Sequence, residues 1–142
     1  MKGILNKGAA VLAGVLLCGS AWAAGAVGTW KTIDDETKQP KALVQISESA
    51  SGELSGKIVK LFNNPDAVCG KCDGANKDKP VVGMNILWGL KKDGDAWEGG
   101  KILDPKTGKV YSAKLKVVGD KLEVRGFLGM ALLGRTQTWV KP

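Results

Sequence analysis

Apolar and polar residues alternate along short segments of the chain. The clearest case is 110–118, where Tyr111, Ala113, Leu115 and Val117 share one face and serine and lysine side chains take the other. This period of two is typical of a β-strand with one dry face and one wet face. No long segment carries the helical period, so the pattern predicts an all-β fold.

Short turns such as Asp93-Gly94 separate eight segments of this kind. The predicted strands are 27–33, 42–47, 53–60, 86–92, 97–103, 110–118, 122–125 and 135–140. Sequential antiparallel pairing gives a meander, and eight strands escape their exposed edges by closing into a barrel. The sequence therefore predicts an eight-stranded antiparallel up-and-down barrel. The pair Gly99-Gly100 predicts a bulge within one strand.

An eight-stranded barrel is just wide enough to be filled by side chains or to hold one small ligand. The alternation assigns an apolar set of side chains to the interior as candidate ligand contacts. They are Val44, Ile46, Tyr111, Ala113, Leu115, Leu122 and Val124. We therefore expect non-enzymatic binding of a small apolar molecule in the barrel. The alternative is a filled barrel that serves as an envelope structural or interaction protein.

The first 23 residues have the three zones of a secretory signal peptide. Two lysines form a basic start, 9–18 is apolar, and the sequence Ala-Trp-Ala up to Ala23 is a small-x-small cleavage signal. We expect a signal peptide at 1–23, cut after Ala23, and a single barrel domain at 24–142. The predicted location is periplasmic or secreted, where disulfides persist.

Composition excludes several function classes. The chain has no histidine, which removes imidazole-based catalysis and most zinc sites. It shows neither a nucleophile elbow nor a phosphate loop. We therefore expect no enzyme activity, no catalytic residue, no metal site and no cofactor.

The formal net charge is +7, and the lysines are spread through the chain. Nucleic-acid binding requires clustered basic residues with aromatic residues between them, so no nucleic-acid partner is expected. A weak contact with an anionic envelope surface is compatible with this charge and would weaken with salt. The oligomeric state is left open.

Cys69 and Cys72 are the only cysteines after the predicted leader, and they lie in the long connection 62–80. An even count in an oxidising compartment favours a structural disulfide that pins this loop. A redox dithiol, with Lys71 between the sulfurs, is the second interpretation. Metal binding is the third, because two thiolates would need further ligands and no histidine is present.

Three stretches resemble the DUF2147 family of exported bacterial proteins: 28–30, 69–84 and 97–111, the last continuing to 124–126 and 133–139. The resemblance implies a lipocalin-like barrel, and the family's biochemical function is not established.

Gly28-Thr29-Trp30 is similar to the lipocalin Gly-x-Trp signature, whose tryptophan packs at the closed end of the barrel under an arginine from the last strands. The resemblance implies that Gly28, Trp30 and Arg135 form this barrel end, with Arg125 as the alternative arginine.

The run 127–133 is apolar throughout and too short to span a bilayer. We expect it to cap or fill the barrel. The alternative is an exposed contact for lipid or a partner.

Overall fold

Eight strands form one antiparallel sheet in which neighbours in the chain are neighbours in space. The structure, a computed structural model, describes residues 25–130 and 134–142, so the predicted leader 1–23 lies outside the described residues. The strands are β1 (Gly28–Ile33), β2 (Pro40–Glu48), β3 (Glu53–Leu61), β4 (Asn85–Asp93), β5 (Ala96–Asp104), β6 (Lys109–Val118), β7 (Lys121–Phe127) and β8 (Arg135–Trp139).

A single antiparallel pair closes the sheet into a barrel. The backbone N–H of Lys31 donates to the carbonyl of Val140 at 2.7 Å, and the N–H of Val140 donates back to Lys31 at 3.0 Å. This pair joins β1 to β8, since the residue after the end of β8 lies opposite the middle of β1. The predicted up-and-down barrel of eight antiparallel strands is confirmed.

The predicted glycine bulge is present in β5. The pairing of β5 with β6 shifts register between Trp97 and Gly100. A Cβ on Gly100 would lie 2.4 Å from the carbonyl oxygen of Trp88 and 2.6 Å from Leu90 Cγ. Only glycine therefore allows β4 and β5 to approach this closely.

The two ends of the barrel carry connections of different kinds. One end, which we call the loop end, carries 34–39, 62–84, 105–108 and 128–134. The other, which we call the turn end, carries 49–52, 94–95 and 119–120. The 62–84 connection is the longest and contains one turn of 3-10 helix, Gly74–Asn76.

Candidate functional site

The predicted ligand-contact residues lie on the inner face of the barrel. Val44, Ile46, Ala113, Leu115, Leu122 and Val124 are buried, and Tyr111 is half-buried. The six buried side chains belong to one hydrophobic core that also contains Trp30 and Trp139. Their contact with a ligand stays a prediction, because a packed core buries the same residues.

Inward-facing glycines measure how much room the interior leaves. A methyl group on Gly56 would lie 3.2 Å from Val44 Cγ1 and 3.3 Å from Leu87 Cβ. A methyl group on Gly100 would overlap Leu90, as described above. All of these contacts are with the strands next to each glycine, so they show close packing along the wall of the barrel. Towards the loop end the contacts loosen, since a methyl group on Gly126 would lie 3.6 Å from both Ile102 and Tyr111.

The best-formed hollows in the described part of the chain lie outside the barrel interior. One, of about 370 Å³, is lined by polar side chains on the outer face of β2 and β3, and by Asn85. A second, of about 290 Å³, lies beside the 62–84 connection and also reaches Asn85. With its nitrogen turned towards the main chain, the Asn85 amide donates to the carbonyls of Gly56 at 2.6 Å and Leu87 at 3.1 Å. The Asn85 amide is therefore engaged in holding β3 to β4.

Cys69 and Cys72 form a disulfide within the 62–84 connection, as the first interpretation predicted. Both side chains are buried, with exposed fractions of 0% and 2%. The backbone N–H of Cys69 donates to the carbonyl of Lys79, and the N–H of Asp78 donates to the carbonyl of Cys69, both at 2.9 Å. The disulfide and these hydrogen bonds fold 69–79, which we call the Cys loop, back on itself.

The Cys loop packs against the turn between β5 and β6. The sulfur of Cys69 lies 3.2 Å from the carbonyl oxygen of Pro105, a contact without a proton because the sulfur is oxidised. Gly108, with a φ of +75°, is so close that a Cβ there would lie 2.0 Å from the carbonyl oxygen of Lys71. Pro105 and Gly108, which are distant from the Cys loop in the sequence, thus fix the position of this loop.

The disulfide is expected to resist reduction in the folded protein, because an attacking thiolate cannot reach buried sulfur atoms. Treatment with dithiothreitol followed by iodoacetamide and mass measurement checks this. We expect no label in the folded protein and a label on each of Cys69 and Cys72 in urea. Equal labelling in both conditions would contradict the structural role and favour the redox interpretation.

Trp30 belongs to the hydrophobic core and lies towards the turn end, and its role in closing the barrel, which the resemblance implied, stays a prediction. The Trp30 side chain is 1% exposed, and its Nε1–H donates to the carbonyl of Ala26 at 2.8 Å. Gly28 has a φ of +138°, a conformation that side chains rarely adopt, and it carries the chain from Ala26 into β1. Ala26 is itself buried, so this short segment runs under the core.

The predicted pairing of Arg135 with Trp30 is wrong. Arg135 begins β8 at the loop end, where its guanidinium lies 2.9 Å from the carboxylate of Asp35. The cation over the Trp30 ring is Lys141, whose Nζ is 4.5 Å from the ring centroid. The strand direction explains the difference, because β8 runs from the loop end to the turn end and only residues after it reach Trp30.

Arg125, the alternative arginine, lies on β7 and donates from Nη1 to Thr136 Oγ1 at 2.9 Å. Arg135 therefore does not take the place that the lipocalin signature implies.

The loop end presents a mixture of ordered polar groups and exposed apolar side chains. In the first connection, backbone N–H groups of Thr37 and Glu36 donate to Asp34 Oδ1 at 2.9 Å and lower the pKa of this carboxyl. Leu128 and Met130 are 59% and 64% exposed. The expectation that 127–133 fills or caps the barrel is wrong for these two side chains, and 131–133 lie outside the described residues.

Within the described ranges, no cluster of three or more Cys, Asp or Glu side chains could hold a metal ion. The same ranges contain no helix of the length and apolarity required to cross a membrane.

Gly108 and Lys141 were missed by sequence reasoning. The φ of +75° at Gly108 fits an ordinary turn glycine, which is how the Asp104-Pro105 and Gly108 pattern reads. Its contact with Lys71 of the Cys loop spans 37 residues and leaves no local signal. Lys141 follows the end of β8, and the residues next to it in the sequence do not indicate that its side chain lies over the Trp30 ring.

Comparison with known proteins gives a family and a fold. A family model described as an uncharacterised protein conserved in bacteria, DUF2147, matches residues 28–141. A solved structure of Helicobacter pylori protein HP1028, described as belonging to the lipocalin family, is similar with a TM-score of 0.73 and 16% identity. The similarity covers 84% of each chain. No curated protein matches the chain. The barrel is therefore lipocalin-like.

Proposed function

Because the chain belongs to the DUF2147 family of uncharacterised bacterial proteins, whose fold is compatible with binding a small molecule, we propose which part of this barrel makes contact with a partner. The protein is an exported, non-enzymatic interaction protein with a filled barrel, and it acts through its outer surface and its loop end. The hydrophobic core carries this proposal, since inward side chains from all eight strands pack in one cluster and leave little room for a ligand.

Three other observations support the proposal. The interior holds Trp30 and Trp139, two of the largest fully buried side chains. The two hollows described above, on the outer face of β2 and β3 and beside the 62–84 connection, lie outside the barrel interior. The buried disulfide suits an oxidising compartment outside the cytoplasm.

Native mass spectrometry of the protein purified from cells that express the full chain tests the proposal. We expect the mass of the bare chain with one disulfide. We also expect no saturable fluorescence change when cis-parinaric acid, an apolar probe, is added. A stoichiometric small molecule that is lost on denaturation, or saturable binding of the probe, would show that the barrel is a carrier after all.

A small apolar molecule at the loop end is the second candidate function. It is favoured by the half-buried Ile102 and Tyr111, beside Gly126, where the interior packing is looser. If the probe does bind, Gly126→Val is expected to weaken that binding by filling this space. Binding that Gly126→Val leaves unchanged would place the probe elsewhere.

A further inference from the structure

Exposed apolar side chains are concentrated at one end of the barrel. Of the nine exposed large hydrophobic side chains among the described residues, five lie in the connections of the loop end, and a sixth, Val110, lies near them at the start of β6. The five are Phe62, Val68, Val82, Leu128 and Met130. The turn-end connections consist of serine, alanine, glycine and aspartate residues only. The exposed apolar surface of the described residues is therefore concentrated at the loop end.

Most of the lysines without an ion pair lie at the loop end. There, Lys77 lies 3.9 Å from Asp78, and seven further exposed lysines make no ion pair within the part of the chain that the structure describes. The seven are Lys38, Lys41, Lys60, Lys71, Lys79, Lys106 and Lys109. Near the turn end, Lys91, Lys116 and Lys121 each lie within 4 Å of a carboxylate, whereas Lys92 and Lys141 lie over tryptophan rings. Apart from Lys41, which attracts the Asp34 carboxylate, the seven loop-end lysines are thus available to a partner.

Carboxylates are also present at the loop end, but several already have partners. Asp34 and Asp104 accept backbone N–H groups in their own turns. Asp35 lies against Arg135, and Asp78 lies 3.9 Å from Lys77. Glu36, Asp66 and Asp73 bring the carboxylates of this end to seven. All seven keep their charge, since a hydrogen bond from a backbone N–H does not neutralise a carboxylate. The cations of this end are nine, the seven unpaired lysines with Lys77 and Arg135, so its formal charge is +2.

The arrangement of the apolar side chains favours a broad, flat partner. Phe62 follows β3, whereas Leu128 and Met130 follow β7, on the opposite side of an eight-stranded barrel. The Nζ of Lys60 lies 4.9 Å from the centre of the Phe62 ring, so an apolar group and a cation are presented together. A bilayer interface accepts apolar side chains beneath its headgroups and cations beside its anionic lipids.

From these four features we infer that the loop end docks on an anionic phospholipid bilayer. Phe62, Leu128 and Met130 enter the interface, and the unpaired lysines lie against the headgroups. The inference deepens the proposed function, because it names the partner of a filled barrel that acts through its loop end.

Vesicle co-sedimentation tests the inference. The protein is purified from cells that express the full chain, and its mass is measured first, because an uncleaved apolar segment at 9–18 would itself bind lipid. We expect binding to vesicles of phosphatidylcholine with phosphatidylglycerol, little binding to phosphatidylcholine alone, and weaker binding as salt is raised.

The double variant Leu128→Ser with Met130→Ser is expected to bind the anionic vesicles at least tenfold more weakly, because it removes two apolar side chains from the interface. Val27→Ser with Val118→Ser is the matched control, since these valines are 50% and 46% exposed away from the loop end. Lys60→Gln is expected to cost about fivefold, and Lys116→Gln near the turn end much less. Circular dichroism verifies that each variant is folded.

Two results would overturn the inference: absence of binding to anionic vesicles, or equal losses from the two serine double variants. If the protein has the mass of the bare chain and does not bind the vesicles, the proposal of a filled barrel still stands. An acidic protein is then the next partner to test. If the mass measurement shows a bound small molecule, the proposed filled barrel is overturned. The vesicle experiment then still tests whether the loop end binds a bilayer.

Discussion

Replacing Trp30 by alanine is expected to lower the free energy of unfolding by about 3–5 kcal/mol. The side chain is almost fully buried in the core, and no other element replaces it at the turn end. The change also leaves the buried carbonyl of Ala26 without its donor. Urea unfolding followed by circular dichroism measures the effect. Since the free energy of unfolding of a domain of this size is about 5–15 kcal/mol, the expected loss is a large part of it.

Trp30→Phe is the matched control, because it keeps an aromatic ring but removes the Nε1 donor. Its expected cost is smaller, about 1–3 kcal/mol for the unpaired carbonyl and the reduced ring. If Trp30→Ala cost less than Trp30→Phe, Trp30 would not be what closes this end. Lys141→Gln should lower stability by no more than about 1 kcal/mol, the usual worth of an exposed cation over a ring.

Replacing Gly108 by alanine is expected to displace the Cys loop and to cost about 2–5 kcal/mol. The positive φ of +75° accounts for about 1–2 kcal/mol of this loss. The contact of the new methyl group with the Lys71 carbonyl accounts for about 1–3 kcal/mol more. Hydrogen exchange of the Cys69 and Asp78 amides reports on the loop directly, because both amides donate within it.

Gly94→Ala separates these two contributions. Gly94 has a φ of +64° in the turn between β4 and β5, and a Cβ there would meet nothing within 4 Å. This variant should lose only the backbone contribution and should keep amide protection in the Cys loop. Equal losses of stability and protection in both variants would mean that the Cys loop does not depend on its contact with Gly108.

Much of the fold was predictable because a barrel of short hairpins is built from local signals. The alternation in β6 places Ala113 and Leu115 inside regardless of the rest of the chain. Turn residues limit each strand, and Gly99-Gly100 marks a bulge without knowledge of the partner strand. The even count of cysteines after the predicted leader, in an oxidising compartment, was sufficient to favour a disulfide between Cys69 and Cys72.

The candidate site was less predictable, because its features depend on residues that are distant in the chain. Alternation identifies inward residues but not how closely they pack, and the fit of Gly100 against Leu90 appears only when β4 and β5 are paired. The position of Arg135 depends on which end of the barrel β8 starts from, which one strand's sequence does not encode. The exposed state of Leu128 likewise depends on what the neighbouring elements leave uncovered.

The sequence by itself thus determined the fold class, the order of the strands and the bulge, and it favoured the disulfide over two other interpretations, because each rests on residues within one strand, turn or loop. Only the tertiary structure decided that Gly100 lies against Leu90 of the neighbouring strand, that Lys141 rather than Arg135 covers Trp30, and that the Cys loop rests on Gly108. It also gathered the exposed apolar side chains and unpaired lysines at one end. These properties arise from distances between elements far apart in the chain, and closing the barrel sets those distances.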